Sequence, residues 1–189
     1  VLSGSFGNDT LNGGEGDDSL YGSFDNDTLD GEAGVDKVYG GIGDDTIVYD
    51  AADEIMDGGV GEDTVSSADA SMSLAATMSS NLQNIEVIDL ENTTQDQLLT
   101  GVDTPFASIG LTADDVAAMT DGDNLLQIKG DAATAVGNDQ DKVDLEGFTQ
   151  TNAAGMPVSV QGVMSDVYRG TDSDGNDVWV AVDVDMEVL

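Results

Sequence analysis

The chain has 189 residues, 39 of them acidic and only 4 basic, for a formal net charge of −35. That charge repels the phosphates of nucleic acids and of acidic membrane surfaces, which leaves cations and neutral surfaces as partners. Cysteine and histidine are both absent, so disulfides, the commonest general base and the commonest transition-metal ligand are excluded together.

No apolar run approaches the roughly 18 residues that a membrane span needs, so neither a transmembrane segment nor a signal peptide is expected within these residues. Val1 stands where a methionine would start a complete chain, and a piece of a longer protein is expected. From Gly4 the sequence repeats every nine residues: GSFGNDTLN, GGEGDDSLY, GSFDNDTLD, GEAGVDKVY, GGIGDDTIV, YDAADEIMD and GGVGEDTVS. The eighth position is always apolar (Leu11, Leu20, Leu29, Val38, Ile47, Met56 and Val65), and Leu2 keeps that phase before the first full repeat. The sixth position is always acidic: Asp9, Asp18, Asp27, Asp36, Asp45, Glu54 and Asp63. The sixth repeat has lost its glycines yet keeps the count, so it reads as a turn of the same array.

Each repeat divides into a six-residue glycine-acid turn and a three-residue strand whose middle residue alone faces inward. Two such units close one coil of 18 residues. Asp9, Asp27, Asp45 and Asp63 then stack along one edge, and Asp18, Asp36 and Glu54 along the other. Stacked strands lie about 4.7–4.9 Å apart, and calcium–oxygen distances are about 2.3–2.6 Å, so one calcium ion fits between stacked turns and touches both. The turn glycines Gly4, Gly7, Gly13, Gly16, Gly22, Gly31, Gly34, Gly40, Gly43, Gly58 and Gly61 are expected to supply positive φ and free carbonyls. Asp25 stands in for glycine at one such position, and Asp tolerates left-handed geometry. Hard oxygen ligands favour calcium over zinc or copper, and magnesium would demand tighter geometry and keep its waters. Several calcium ions are therefore expected, held by Asp9, Asp18, Asp27, Asp36, Asp45 and Asp63.

In this pattern the chain resembles the RTX family, whose GGxGxDxUx nonapeptides (U apolar) form calcium-filled parallel β-rolls. Residues 13–21, 40–48 and 58–66 match closely, and 4–12, 22–30 and 31–39 more loosely. Departures are Ser5, Ser23 and Glu32 at position two, Asp25 at position four, and all of 49–57. The resemblance implies export by a type I secretion apparatus, which reads a C-terminal signal and passes the chain unfolded, with folding outside the cell or at the bacterial surface. Burial of one side chain per nine residues is too little to offset ordering costs of roughly 1–2 kcal/mol per residue. Folding and ion binding are then one reaction.

The period ends near residue 66, and 14 of the 24 glycines lie before that point. The expected organisation is a roll over 1–66, a connection or cap over 67–80, and a β-rich α+β region over 81–189 with the export signal at its end. Within it, 84–90 alternates like a strand, and Thr112 with Asp115 caps a short helix running to Met119. Strands are expected at 125–129 and 142–145. The valines from Val178 to Val188 alternate as one strand, with 158–168 as its hairpin partner. The order and texture of this half resemble the C-terminal region of large bacterial RTX adhesins, which implies that adhesive domains lie upstream.

The acidic loop 171–177 lacks the glutamate of a calcium loop and reads as a hairpin turn. Asp121–Asn124 and Asn138–Asp141 read as polar turns. Tyr168 and Trp179 read as packing aromatics in preference to sugar platforms. No H-E-x-x-H, G-x-S-x-G or phosphate-loop motif occurs, so no enzyme activity is expected. An ice- or carbohydrate-binding module is the alternative, because Thr10, Thr28, Thr46 and Thr64 form an outward column. A monomer is expected.

Overall fold

The structure, a computed structural model, describes residues 1–66, 81–89, 98–99, 111–120, 125–129, 142–143, 145, 148–151, 158–160, 163–183 and 187–188. The expected connection at 67–80 and the turns at 121–124 and 138–141 lie outside them.

The nine-residue period becomes two facing parallel sheets. β1 (Leu2–Ser5), β3 (Ser19–Phe24), β5 (Lys37–Ile42), β7 (Ile55–Val60) and β9 (Leu82–Gln83) form the first. The second begins with β2 (Thr10–Glu15), β4 (Thr28–Ala33), β6 (Thr46–Val48) and β8 (Thr64–Ser66). Residues 18 apart pair in register, Leu20 with Val38 and Leu29 with Ile47 for example. One coil is therefore two repeats. The eighth-position residues Leu11, Leu20, Leu29, Val38, Ile47, Met56 and Val65 are all buried between the sheets. Strand alternation allows only that residue to face inward.

Beyond the array the second sheet does not stop. It continues through β10 (Val87–Asp89), β12 (Leu125–Lys129), β17 (Asp177–Asp183) and β16 (Val163–Thr171), and ends at β14 (Thr149–Gln150), with β15 (Val158–Val160) pairing with β16. Register carries the inward column with it: Val65 pairs with Ile88, Ile88 with Ile128, and Ile128 with Val182. All four are buried. A composition change at residue 66 is thus crossed by one unbroken sheet and one core. A further small sheet joins β11 (Leu98–Leu99), β13 (Lys142–Val143) and β18 (Glu187–Val188).

The helix forms where the sequence puts it, as α1 (Ala113–Met119). Thr112 caps it, its side chain accepting from the Asp115 amide while the Asp115 carboxylate accepts from the Thr112 amide. Val116 and Met119 are buried, and the Met119 carbonyl accepts from the Ile85 amide. The helix packs on β9, β16 and β17, and so covers the second sheet where the first one ends.

The terminal hairpin differs from expectation at both ends. The partner of β17 is 163–171, with Tyr168 opposite Val180, and the strand starting at Asp177 ends at Asp183, after which 187–188 joins the small sheet. The turn explains the shift. Asp172 Oδ1 accepts from the amides of Asp174 and Asn176, its Oδ2 accepts from the Asn176 side chain, and Gly175 takes φ +89°. These bonds from Asn176 hold the Asp172 carboxyl below the usual range. Both of its oxygens serve the turn, as the turn reading requires. Trp179 lies under the Arg169 guanidinium opposite it, 5.8 Å from ring centroid to charge, and is engaged as a packing aromatic.

Because Ile88 joins the array's column to the later strands, Ile88→Ala should cost about 2–5 kcal/mol. In calcium-saturated denaturant unfolding, the Tyr signals of the array and the Trp179 signal should shift together.

Candidate metal centre

Two lines of carboxylates run along the edges of the roll, each tied to the next by a backbone bond. On one edge the Asp9 amide donates to Asp27 Oδ1 at 2.7 Å, Asp27 to Asp45 Oδ1 at 2.8 Å, and Asp45 to Asp63 Oδ1 at 2.8 Å. On the other the Asp18 amide donates to Asp36 Oδ1 at 2.7 Å. The stacking read from the sequence is therefore the stacking that forms for these six residues.

Glu54 does not join the line. The Asp36 amide donates instead to Asp53 Oδ1 at 3.0 Å, while Glu54 turns outward and pairs with Lys37 Nζ at 3.0 Å. The Glu54 amide, not that of Ile55, reaches the Asp36 carbonyl, although Ile55 still pairs with Lys37 in the strand. A turn without glycine has therefore slipped by one residue and brought the shorter acid inward.

Each linking carboxylate spends one oxygen on its neighbour's amide and leaves the other inside. The Oδ2 atoms of Asp9, Asp27, Asp36, Asp45, Asp53 and Asp63 are buried without a hydrogen-bond partner. Asp27, Asp36, Asp45, Asp53 and Asp63 are themselves almost fully buried, and among the described residues none of them meets a basic side chain. Burying an unpaired carboxylate costs several kcal/mol even after relaxation. Rows of oxygens with neither proton donor nor basic partner fit divalent cations.

The glycines divide by role. At position four, Gly7, Gly16, Gly43 and Gly61 take positive φ, as Asp25 does at φ +70°, whereas Gly34 does not. The position-one glycines Gly4, Gly13, Gly22, Gly31, Gly40 and Gly58 have no positive φ, contrary to expectation. They are glycine because a Cβ would strike oxygen: at Gly4 it would lie 2.6 Å from Asp9 Oδ2, and at Gly13 2.6 Å from the Gly31 carbonyl oxygen. Beside Gly22 and Gly40 the intruding atoms are a carboxylate oxygen of the same turn and a carbonyl oxygen of the next coil. Electron-rich oxygens converge there from two coils. At position two Ser5, Ser23 and Glu32 keep positive φ despite their side chains, so the turn is imposed by its neighbours.

Among the described residues no three acidic side chains gather at one point. Calcium takes 6–8 oxygens, so each site would draw two carboxylates and complete its shell from glycine carbonyls. The sequence reading passed over position five. There Asp44 accepts from the Glu62 amide and Asp17 from the Val35 amide, each at 3.0–3.1 Å, in the sense opposite to the inner line. The two rows together clamp successive turns.

A family model for the RTX calcium-binding nonapeptide repeat (4 copies) matches residues 1–29, 13–47 and 30–65. No curated protein and no solved structure matches the chain.

Burial, with neighbouring carboxylates adding to it, pushes Asp45 and Asp53 up to about 6 and Asp63 up to about 7, from an ordinary 3.8. A raised carboxyl stabilises the ion-free fold below about pH 4, and that contribution is lost as pH rises through 6–7. Ions bind the deprotonated form, so protons compete with them. In calcium-free buffer the β-signal of circular dichroism should therefore rise on acidification from pH 7.5 to about 4, while the calcium midpoint should move to higher concentration between pH 7.5 and 5.5.

Proposed function

We propose that residues 1–65, which match the family model for the RTX calcium-binding nonapeptide repeat, are a calcium-binding module that serves as the folding and export device of a secreted or cell-surface bacterial adhesin. The observation that carries the reading is the double row of buried Asp Oδ2 atoms without partners. At low calcium those oxygens repel one another across stacked turns, and the thin apolar column cannot hold the coils together. At the roughly 10⁻⁴–10⁻³ M dissociation constants usual for extracellular calcium modules, the sites stay empty inside a cell and fill outside. The chain then passes a type I apparatus unfolded and folds on release. Asp9, Asp18, Asp27, Asp36, Asp45 and Asp63 hold the ions, Asp53 joins them in place of Glu54, and no residue acts in catalysis.

The ice-binding alternative has some support in the register, since Thr10, Thr28, Thr46 and Thr64 do align across β2, β4, β6 and β8. β-Propensity accounts for threonine in an outward strand position without it.

Calcium raised to about millimolar should bring up β-signal and protease resistance of residues 1–66, and magnesium should do so weakly. An array fully ordered in excess chelator would refute the switch.

For export, residues 67–189 fused behind a slow-folding passenger should appear in the medium when a matching type I system is present. Deleting the last dozen or so residues should abolish this. Full yield from the truncated fusion would place the address elsewhere.

A further inference from the structure

The line Asp9–Asp27–Asp45–Asp63 does not end with the array. The Asp63 amide donates to Glu86 Oε2 at 2.9 Å, as the Asp45 amide does to Asp63 Oδ1. Glu86 lies 20 residues past the last matched nonapeptide and outside its pattern. Strand register shows how it gets there. Asp57 pairs with Gln83 and Thr64 with Val87, so the six-residue turn 58–63 is matched on the next coil by only residues 84–86. The Asn84 carbonyl oxygen occupies the space that a Cβ at Gly58 would need, just as the Gly58 carbonyl oxygen does at Gly40. Asn84 adopts φ +52°, the left-handed geometry that Asn tolerates. The turn is cut to half its length, and the acid it carries is the longer glutamate, whose Oε2 reaches the Asp63 amide.

We infer that Asp63 and Glu86, with the Asn84 carbonyl, form one more calcium site, at the junction of the array and the C-terminal strands. The inference rests on the calcium reading of the array. Asp63 is fully buried and its Oδ2 has no partner, although it is the last aspartate of its edge. Glu86 is also buried and adds to the repulsion that Asp63 feels. With three residues fewer in the turn, fewer carbonyls are within reach, and water completes the shell. This site should therefore be the weakest of its edge and the last to fill. Since Glu86 immediately precedes β10, filling it fixes the strand on which β12 and then β17 are laid.

The test is native mass spectrometry of the full chain over a calcium titration, with amide hydrogen exchange of residues 87–89 followed in parallel. Glu86→Gln should lose one bound ion at saturating calcium and lose calcium-dependent protection of 87–89. Glu86→Asp, shorter but still charged, should keep the count with a higher midpoint for the last ion. It decides the matter if the amide variant fails to fold. A full ion count with unchanged midpoint and protection in Glu86→Asp or Glu86→Gln would overturn the site while leaving the array's calcium intact. A wild-type chain that binds no calcium would instead overturn the reading on which it rests.

Discussion

Repulsion between buried carboxylates is the constraint around which this chain is arranged. A parallel stack of short coils brings identical positions together every 18 residues, so any acid in the turn faces its copies above and below. The hydrogen bonds from each Asp amide to the next Asp Oδ1 satisfy half of each carboxylate and fix its direction. The other half points into a space with no proton donor. The array has one basic side chain, Lys37, which pairs with Glu54, and the N-terminal amine, which pairs with Asp18; neither reaches the buried Oδ2 atoms. Ions from outside would neutralise them, and order in the array would then depend on ion concentration.

Legibility in the sequence followed the strength of this constraint. Leu20, Val38 and Met56 could be placed because strand alternation leaves one inward site per repeat, and Asp27 and Asp45 because their spacing matches the coil. The Thr112–Asp115 box was legible because capping is a local interaction needing no knowledge of the rest. Asp53 was not. Counting in nines points to Glu54, and only the backbone shows that a turn without glycine can move by one residue and still return Ile55 to register. The position-one glycines were identified for the wrong reason, because sequence cannot distinguish a required φ from a required absence of Cβ.

The second half was read as a separate composition, while the sheet crosses into it. Strand pairing asks only that Ile88, Ile128 and Val182 meet Val65 in register, not that they recur at fixed spacing. Once long connections separate successive rungs, period disappears from the sequence although it persists in space. The terminal hairpin shows a related effect: alternation from Val178 to Val188 is continuous in sequence, but the chain leaves the sheet after Asp183 to serve another.

Among the described residues the two edges of the roll run differently. One line goes no further than Asp53, whose amide turns back to the Asp50 carbonyl, while Glu54 has turned out to Lys37 in an exposed pair that contributes little. The other runs on to Glu86, on the same strand path that carries the apolar column into the C-terminal half. On the calcium reading, ions held along this second line would share their binding free energy with strands that hold no nonapeptide. A repeat array that merely sat beside an independent domain would need no such continuation. The shortened turn with its longer acid makes physical sense where order gained from ions in the coils is passed to the sheet built on them.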